Sequence, residues 1–403
     1  MMPFEVAPTD LGVLLLGVGL LLGAAVWAWQ LQRSQRAKPE TETVVPPPPA
    51  ELSAEQTAQL EPFDQALVQQ PQDAIAWYNR ATTLDQMGQP QAAIACYDRA
   101  LELKPDFPQA WNNRASALDA LGRHQEALAG YERALQLKPD FFEAYFNQAN
   151  ALGQLGRWEE ALYSYTRALR IRPDSPEAWY LHGLTLANLG RFEGSLTSYD
   201  KALALNPVDA QAWQSRGLAL FRLERYADAL ASYERALQLG LESAALWAGH
   251  ALAQHRLGNA MEALNSYDRA LERDPQRAEI WLDRGLVLMD LNLYELALQS
   301  FAQALQLDPN LAEAHYLEAC CYAWEGQVGQ TLQALEQALR LDPQRYRPLL
   351  ASEPYFQLIR EEPSFVAFLA KVDASASSAE FFRRDAVVAA EKPSQTENTE
   401  RQA

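Results

Sequence analysis

Apolar positions along the chain fall into two helical spacings that return every 34 residues. Counting each repeat from Ala74, the first set holds positions 4, 8 and 11, and the second holds 20, 24 and 27. Each set marks one face of an amphipathic helix. Position 4 reads Trp77, Trp111, Tyr145, Trp179, Trp213, Trp247, Trp281 and His315. Position 8 is small throughout, Ala or Gly from Ala81 to Ala319, and position 20 is small from Ala93 to Thr331. Position 24 is aromatic from Tyr97 to Phe301 and ends at Leu335, while position 27 is alanine from Ala100 to Ala338. Small residues at 8 and 20 let two helices approach closely, and the bulky residues at 4 and 24 fill the space around them. The pattern predicts an all-α chain of eight helix-turn-helix repeats: 74–107, 108–141, 142–175, 176–209, 210–243, 244–277, 278–311 and 312–345.

The punctuation agrees. A glycine divides the two helices at Gly88, Gly122, Gly156, Gly190, Gly258 and Gly326, where a left-handed residue can end a helix. Prolines at 71, 105, 139, 173, 207, 275, 309 and 343 stop the second helices, stepping by 34 except once by 68. The skipped position is Leu241, preceded by Gly240, and the same repeat carries Glu224 in place of the dividing glycine. Two readings stand: a hinge between repeats five and six, or a glycine doing the proline's job.

The flanks break the period. Residues 52–73 read as a partial repeat capping the N-terminal end, with Phe63, Ala66 and Pro71 at positions 24, 27 and 32. Residues 346–372 carry Tyr355, Phe356, Leu358, Phe365, Phe368 and Leu369, which predict short helices capping the other end. Residues 373–403 are poor in hydrophobes and are expected to be a disordered tail. At the other terminus, Leu11 to Gln32 runs without a charge between Asp10 and Arg33. That length suffices to cross a bilayer, so 1–32 is expected to be a retained transmembrane anchor with Trp27 and Trp29 at the interface. Arg33, Arg36 and Lys38 follow it and place the N-terminus outside and the repeats in the cytoplasm; export of the repeats is the competing orientation. Gly19 and Gly23 form a GxxxG pair, either an anchor-dimerisation signal or simply small residues in a span. Residues 33–51, with Pro46 to Pro49, read as a semi-rigid linker.

Composition narrows the function. A formal net charge of −18 disfavours nucleic acid and favours a partner with apolar or basic segments. Cys96, Cys320 and Cys321 offer neither a disulfide framework nor a zinc pair, and the adjacent two read as packing residues. No metalloprotease, phosphate-loop or nucleophile-elbow motif occurs, so no catalytic residue, cofactor or metal is assigned. His182 and His250 share position 7 with Arg80, Arg114, Arg216 and Arg284, a column that reads as polar surface or an ion pair within the array. His250 and His255 are badly spaced for a shared metal, and His315 reads as a packed core residue.

These columns resemble the tetratricopeptide repeat family over all eight repeats. The resemblance implies a right-handed superhelical solenoid whose first helices line a concave groove through positions 2, 5, 9, 12 and 13. Position 9 reads Thr82, Ser116 and Asn150, then Leu184, Leu218, Leu252 and Leu286. The groove is therefore expected to be polar at its N-terminal end and apolar from repeat four onward. Its candidate partner-binding residues are Tyr180, Leu184, Leu218, Phe221, Leu252, Leu282, Leu286 and Met289. The alternative is that these leucines pack against the next first helix. The family's carboxylate clamp is unsupported, since position 5 never carries lysine and Asn150 stands alone. The expected function is a membrane-tethered scaffold gripping a peptide or helix of a partner, in the manner of anchored relatives that assist membrane-complex assembly. The alternative is a regulatory or substrate-docking subunit of a catalytic partner.

Overall fold

The computed structural model describes residues 53–375. The expected anchor, the linker and the tail beyond 375 lie outside the described residues. Among those described, no helix is long and apolar enough to cross a membrane. The described residues hold nineteen α-helices, two short 3₁₀ turns and no strand.

They divide into two compact bodies between Leu241 and Glu242. The N-terminal body opens with α1 (Ala54–Gln69), closed by a capping box in which Ser53 and Gln56 exchange hydrogen bonds. Five hairpins follow: α2 (Ala74–Gln86) with α3 (Pro90–Leu103), α4 (Pro108–Ala120) with α5 (His124–Leu137), α6 (Phe142–Gln154) with α7 (Trp158–Ile171), α8 (Pro176–Asn188) with α9 (Phe192–Leu205), and α10 (Ala210–Arg222) with α11 (Tyr226–Gln238). The C-terminal body holds three more: α12 (Ala244–Arg256) with α13 (Ala260–Arg273), α14 (Ala278–Asp290) with α15 (Tyr294–Leu307), and α16 (Ala312–Trp324) with α17 (Val328–Leu341). A cap of α18 (Pro343–Tyr346), η1 (Arg347–Leu349), η2 (Pro354–Phe356) and α19 (Pro363–Ser375) closes it, η2 lying on α16 and α19 on α17. The last helix thus extends to Ser375, past the expected start of the tail at 373. Within each body every second helix packs on the following first helix, and successive first helices touch, as α2 on α4 and α14 on α16.

The hairpin core follows from the columns. Alanines 81, 93, 100, 115, 127 and 134 are all fully buried, and so are the rings of Tyr97, Tyr267 and Phe301. Position 8 must be smallest where the ring lies closest. A β-carbon on Gly285 would stand 2.3 Å from Phe301 Cε1, and one on Gly217 2.6 Å from Tyr233 Cε1. Even alanine would overpack there.

Two further columns join one repeat to the next. At position 7, Arg80, Arg114, Arg216 and Arg284 each bridge back to an aspartate on the preceding second helix: Asp64 at 2.7 Å, Asp98 at 2.5 Å, Asp200 at 2.7 Å and Asp268 at 2.7 Å. Arg216 and Arg284 also donate to Ser232 and Ser300 on their own second helices, both at 2.7 Å. His182 and His250 keep the latter contact, each Nδ1 3.0 Å from Ser198 or Ser266 Oγ. Burial drives the His182 pKa down to about 4, with Lys201 adding to the shift. At position 4, the indole N–H of Trp77, Trp111, Trp179, Trp213 and Trp281 donates to the carbonyl of Pro71, Pro105, Pro173, Pro207 and Pro275, at 2.8–3.1 Å. His315 substitutes for the indole, its Nε2 3.2 Å from the Pro309 carbonyl.

Repeat five departs at both expected points. Glu224 holds the left-handed conformation at φ 59°, as does Asn292 in repeat seven, a placement that costs a non-glycine residue roughly 1–2 kcal/mol. At the missing proline, α11 ends one residue short of its counterparts. Gly240 turns left-handed at φ 86°, and the Leu241 N–H returns to the Ala236 carbonyl at 3.2 Å. The second helix closes in a glycine-based cap rather than on a proline. Trp247 Nε1 is left buried with no hydrogen-bond partner.

The two tryptophans should therefore respond oppositely. Trp213→Phe breaks the bond to Pro207 and exposes no new partner for its carbonyl, whereas Trp247→Phe only removes an orphaned donor. We expect Trp213→Phe to cost about 1–2 kcal/mol more than Trp247→Phe in urea unfolding.

Candidate functional site on the first helices

The exposed face of the first helices is built from positions 5, 6, 9, 12 and 13. In the N-terminal body, positions 5 and 6 of successive helices form a polar ladder. Asn113 Nδ2 donates to the Tyr78 hydroxyl at 3.0 Å, and Asn147 Nδ2 to Asn112 Oδ1 at 3.3 Å. The Tyr180 and Ser215 hydroxyls lie 3.4 Å apart two steps further on.

The polar residues at position 9 serve the repeat itself. Tyr97 donates its hydroxyl to Thr82 Oγ1 at 3.3 Å, and Tyr165 donates to Asn150 Oδ1. Each pair joins position 24 to position 9 within one hairpin. The polar end expected of the groove thus supplies acceptors to two buried tyrosines. From repeat four, leucine replaces these acceptors. Tyr267 then keeps a buried hydroxyl with no partner. In repeat seven the ring is Phe301 and the need disappears.

The candidate apolar residues separate into two groups. Tyr180, Leu184, Leu218 and Phe221 are half-buried and present surface on α8 and α10, which touch each other. The Phe221 ring lies 5.2 Å from Tyr226, and the Tyr180 ring 6.0 Å from Tyr199. Leu252, Leu282, Leu286 and Met289 are buried, at 7%, 3%, 6% and 4% exposure. The expected strip does not continue as surface over the C-terminal body. There α12 touches α14 and α14 touches α16, and these side chains are buried. His255 and Asp290, at positions 12 and 13 of consecutive first helices, meet with Nε2 2.5 Å from Oδ2. Among the described residues, no group of three or more His, Cys, Asp or Glu could hold a metal ion. All three cysteines are buried, and burial raises their thiol pKa values.

Comparison with known families decides the class. A model described as "Tetratricopeptide repeat" matches residues 78–140, 180–244 and 249–312; a second of that description matches 131–163, and one described as "TPR repeat" matches 149–190. Together they span more than half of the chain. The chain belongs to the tetratricopeptide repeat family. Proteins of this family mediate protein–protein interactions. No curated protein matches in sequence. Among solved structures, YrrB, described as a TPR protein with an unusual peptide-binding site, is 26% identical; the match covers 46% of this chain and 96% of YrrB at a TM-score of 0.41. PilF of Pseudomonas aeruginosa is 20% identical, with 52% and 96% covered and a TM-score of 0.46. A tetratricopeptide repeat protein of Parabacteroides merdae is 20% identical, with 61% and 97% covered and a TM-score of 0.45.

One first-helix residue of this tetratricopeptide array went unnoticed in the sequence. Asp283, at position 6 of repeat seven, is 3% exposed and its Oδ1 has no hydrogen-bond partner. The ladder accounts for this: the position-5 residue it would meet on α12 is Ala248, which has no polar group. Burial raises its pKa to about 8, reinforced by the nearby Glu313 and Glu279 and opposed by Arg256. The folded state therefore holds a proton that an unfolded aspartate releases near pH 4. Stability from this group is present below about pH 4 and is lost as pH rises toward 8. Across that window the unaltered chain should lose stability relative to Asp283→Asn, measured as the difference between their urea midpoints at each pH.

Proposed function

We propose that this protein is a membrane-tethered scaffold that holds an apolar segment of a partner protein against Tyr180, Leu184, Leu218 and Phe221. The observation that carries the reading is the placement of these four half-buried side chains on two touching first helices of the N-terminal body. Contiguous apolar surface framed by polar residues is the usual mark of a docking site. An extended or helical segment lying across α8 and α10 would bury it, and a helix would present its own apolar side chains at spacings of three and four. The polar ladder from Tyr78 to Asn147 frames one side without offering a free charge.

The N-terminal run from Leu11 to Gln32 supports tethering, with the basic residues after it setting the repeats in the cytoplasm. A partner that is itself part of a membrane complex suits a repeat array held close to the bilayer by a short proline-rich spacer.

The reading is tested with the full chain in detergent. Leu218→Asp should abolish recovery of a partner that co-purifies with the unaltered chain, while leaving the unfolding midpoint within about 0.5 kcal/mol of it. Equal recovery by both chains overturns the assignment of the face. For topology, Cys96 is buried and cannot report, so Ser53→Cys supplies an exposed thiol. An impermeant maleimide should label it only after lysis; labelling in intact cells reverses the orientation.

A further inference from the structure

At the C-terminal ends of the last first helices, two aromatic rings of the repeats meet one from the cap. Tyr294 opens α15, Trp324 ends α16 and Tyr355 lies in η2. The Tyr294 and Trp324 centroids are 5.4 Å apart, Trp324 and Tyr355 6.1 Å, and Tyr294 and Tyr355 6.4 Å. The first two planes are tilted by 37°, and Tyr355 crosses them at 80° and 71°. The rings therefore form a corner. Trp324 is 39% exposed, and both tyrosines are half-buried.

The surroundings are negative. Burial raises the pKa of both tyrosines, and the nearby Asp290 carboxylate, whose side chain is 41% exposed, adds to the shift. Its Oδ2 meets His255 Nε2. Helices α14 and α16 both end here, so the negative ends of their dipoles point to the same place, and Glu325 follows Trp324. The Tyr294 hydroxyl donates to Asn292 Oδ1 at 2.9 Å, which fixes one ring. Among the described residues, no lysine or arginine lies over any of the three rings, although such stacks occur elsewhere, as Arg172 over Phe142 and Lys201 over Trp179.

We propose that Tyr294, Trp324, Tyr355 and Asp290 form a binding site for a lysine ammonium group of a partner chain. Ring faces attract a cation within about 6 Å of their centroids, and three faces meeting near an acid sum that attraction. A corner suits a rounded ammonium group. A flat guanidinium group would stack on one ring and leave the other two unused. The site lies on the C-terminal body, on residues the apolar docking face does not use, so either can fail alone.

The test titrates the full chain with four labelled decapeptides of glycine and serine around three variable positions: lysine, trimethyllysine, arginine or norleucine. The lysine peptide should bind at least fivefold more tightly than the norleucine peptide, and trimethyllysine should bind at least as well as lysine. Trp324→Leu, which keeps apolar bulk but has no π face, should lose about fivefold in affinity; Trp324→Phe should recover most of it. Asp290→Asn should weaken binding more than Glu132→Gln, which removes one exposed charge from the N-terminal body. Unchanged binding by Trp324→Leu, equal losses from Asp290→Asn and Glu132→Gln, or arginine binding as tightly as lysine overturns the proposal. Tight binding of the norleucine peptide overturns it in favour of plain apolar contact.

Discussion

The whole array depends on how closely two helices can be brought together. Alanine or glycine at position 8 and a small residue at position 20 remove the side chains that would hold the backbones apart. The ring at position 24 then lies flat across the seam. Where it lies closest, as with Phe301 over Gly285, even a methyl group has no room. Eight hairpins share this joint, and close packing of this kind transmits shape from one repeat to the next.

Joining the hairpins laterally requires different means. Apolar contact between second and first helices is not directional, so two polar fastenings set the register. The position-7 arginine spans two second helices at once, and the position-4 indole grips the loop carbonyl of the preceding proline. Surface ion pairs contribute little energy individually. Here they act mainly as alignment pins. The Trp247 indole N–H has no such partner.

Much of this was legible because it repeats. Eight copies of a column reveal which positions are small, aromatic or charged, and the position-7 ion pairs and the helical hairpins follow directly. What escaped notice depends on meetings between columns or outside them. Nothing in the row Thr82, Ser116, Asn150 says that a tyrosine fifteen residues later will reach back to Thr82 and to Asn150. The burial of Leu252, Leu282, Leu286 and Met289 depends on how tightly three consecutive first helices close. Asp283 is conspicuous only once Ala248 is seen to stand where its partner should be. Tyr355 belongs to the irregular cap, so its meeting with Tyr294 and Trp324 had no periodic signal. The missing proline was visible, but the stranded indole six residues later was not.

The tie between the position-24 hydroxyl and the position-9 acceptor has a consequence for how such arrays acquire new specificities. A tyrosine commits its own hairpin to a polar residue on the very face that meets other molecules, so recognition chemistry and internal hydrogen bonding draw on the same few atoms. Two changes convert that face with no risk of a stranded hydroxyl, the ring losing its oxygen as well as the acceptor losing its polarity, although repeats four and five keep Tyr199 and Tyr233 with Leu184 and Leu218. Repeat seven has made both, whereas repeat six, with Leu252 beneath Tyr267, stands halfway. An engineer wishing to regraft this surface should begin with the hydroxyl of Tyr267, since deleting it frees the neighbouring position to vary.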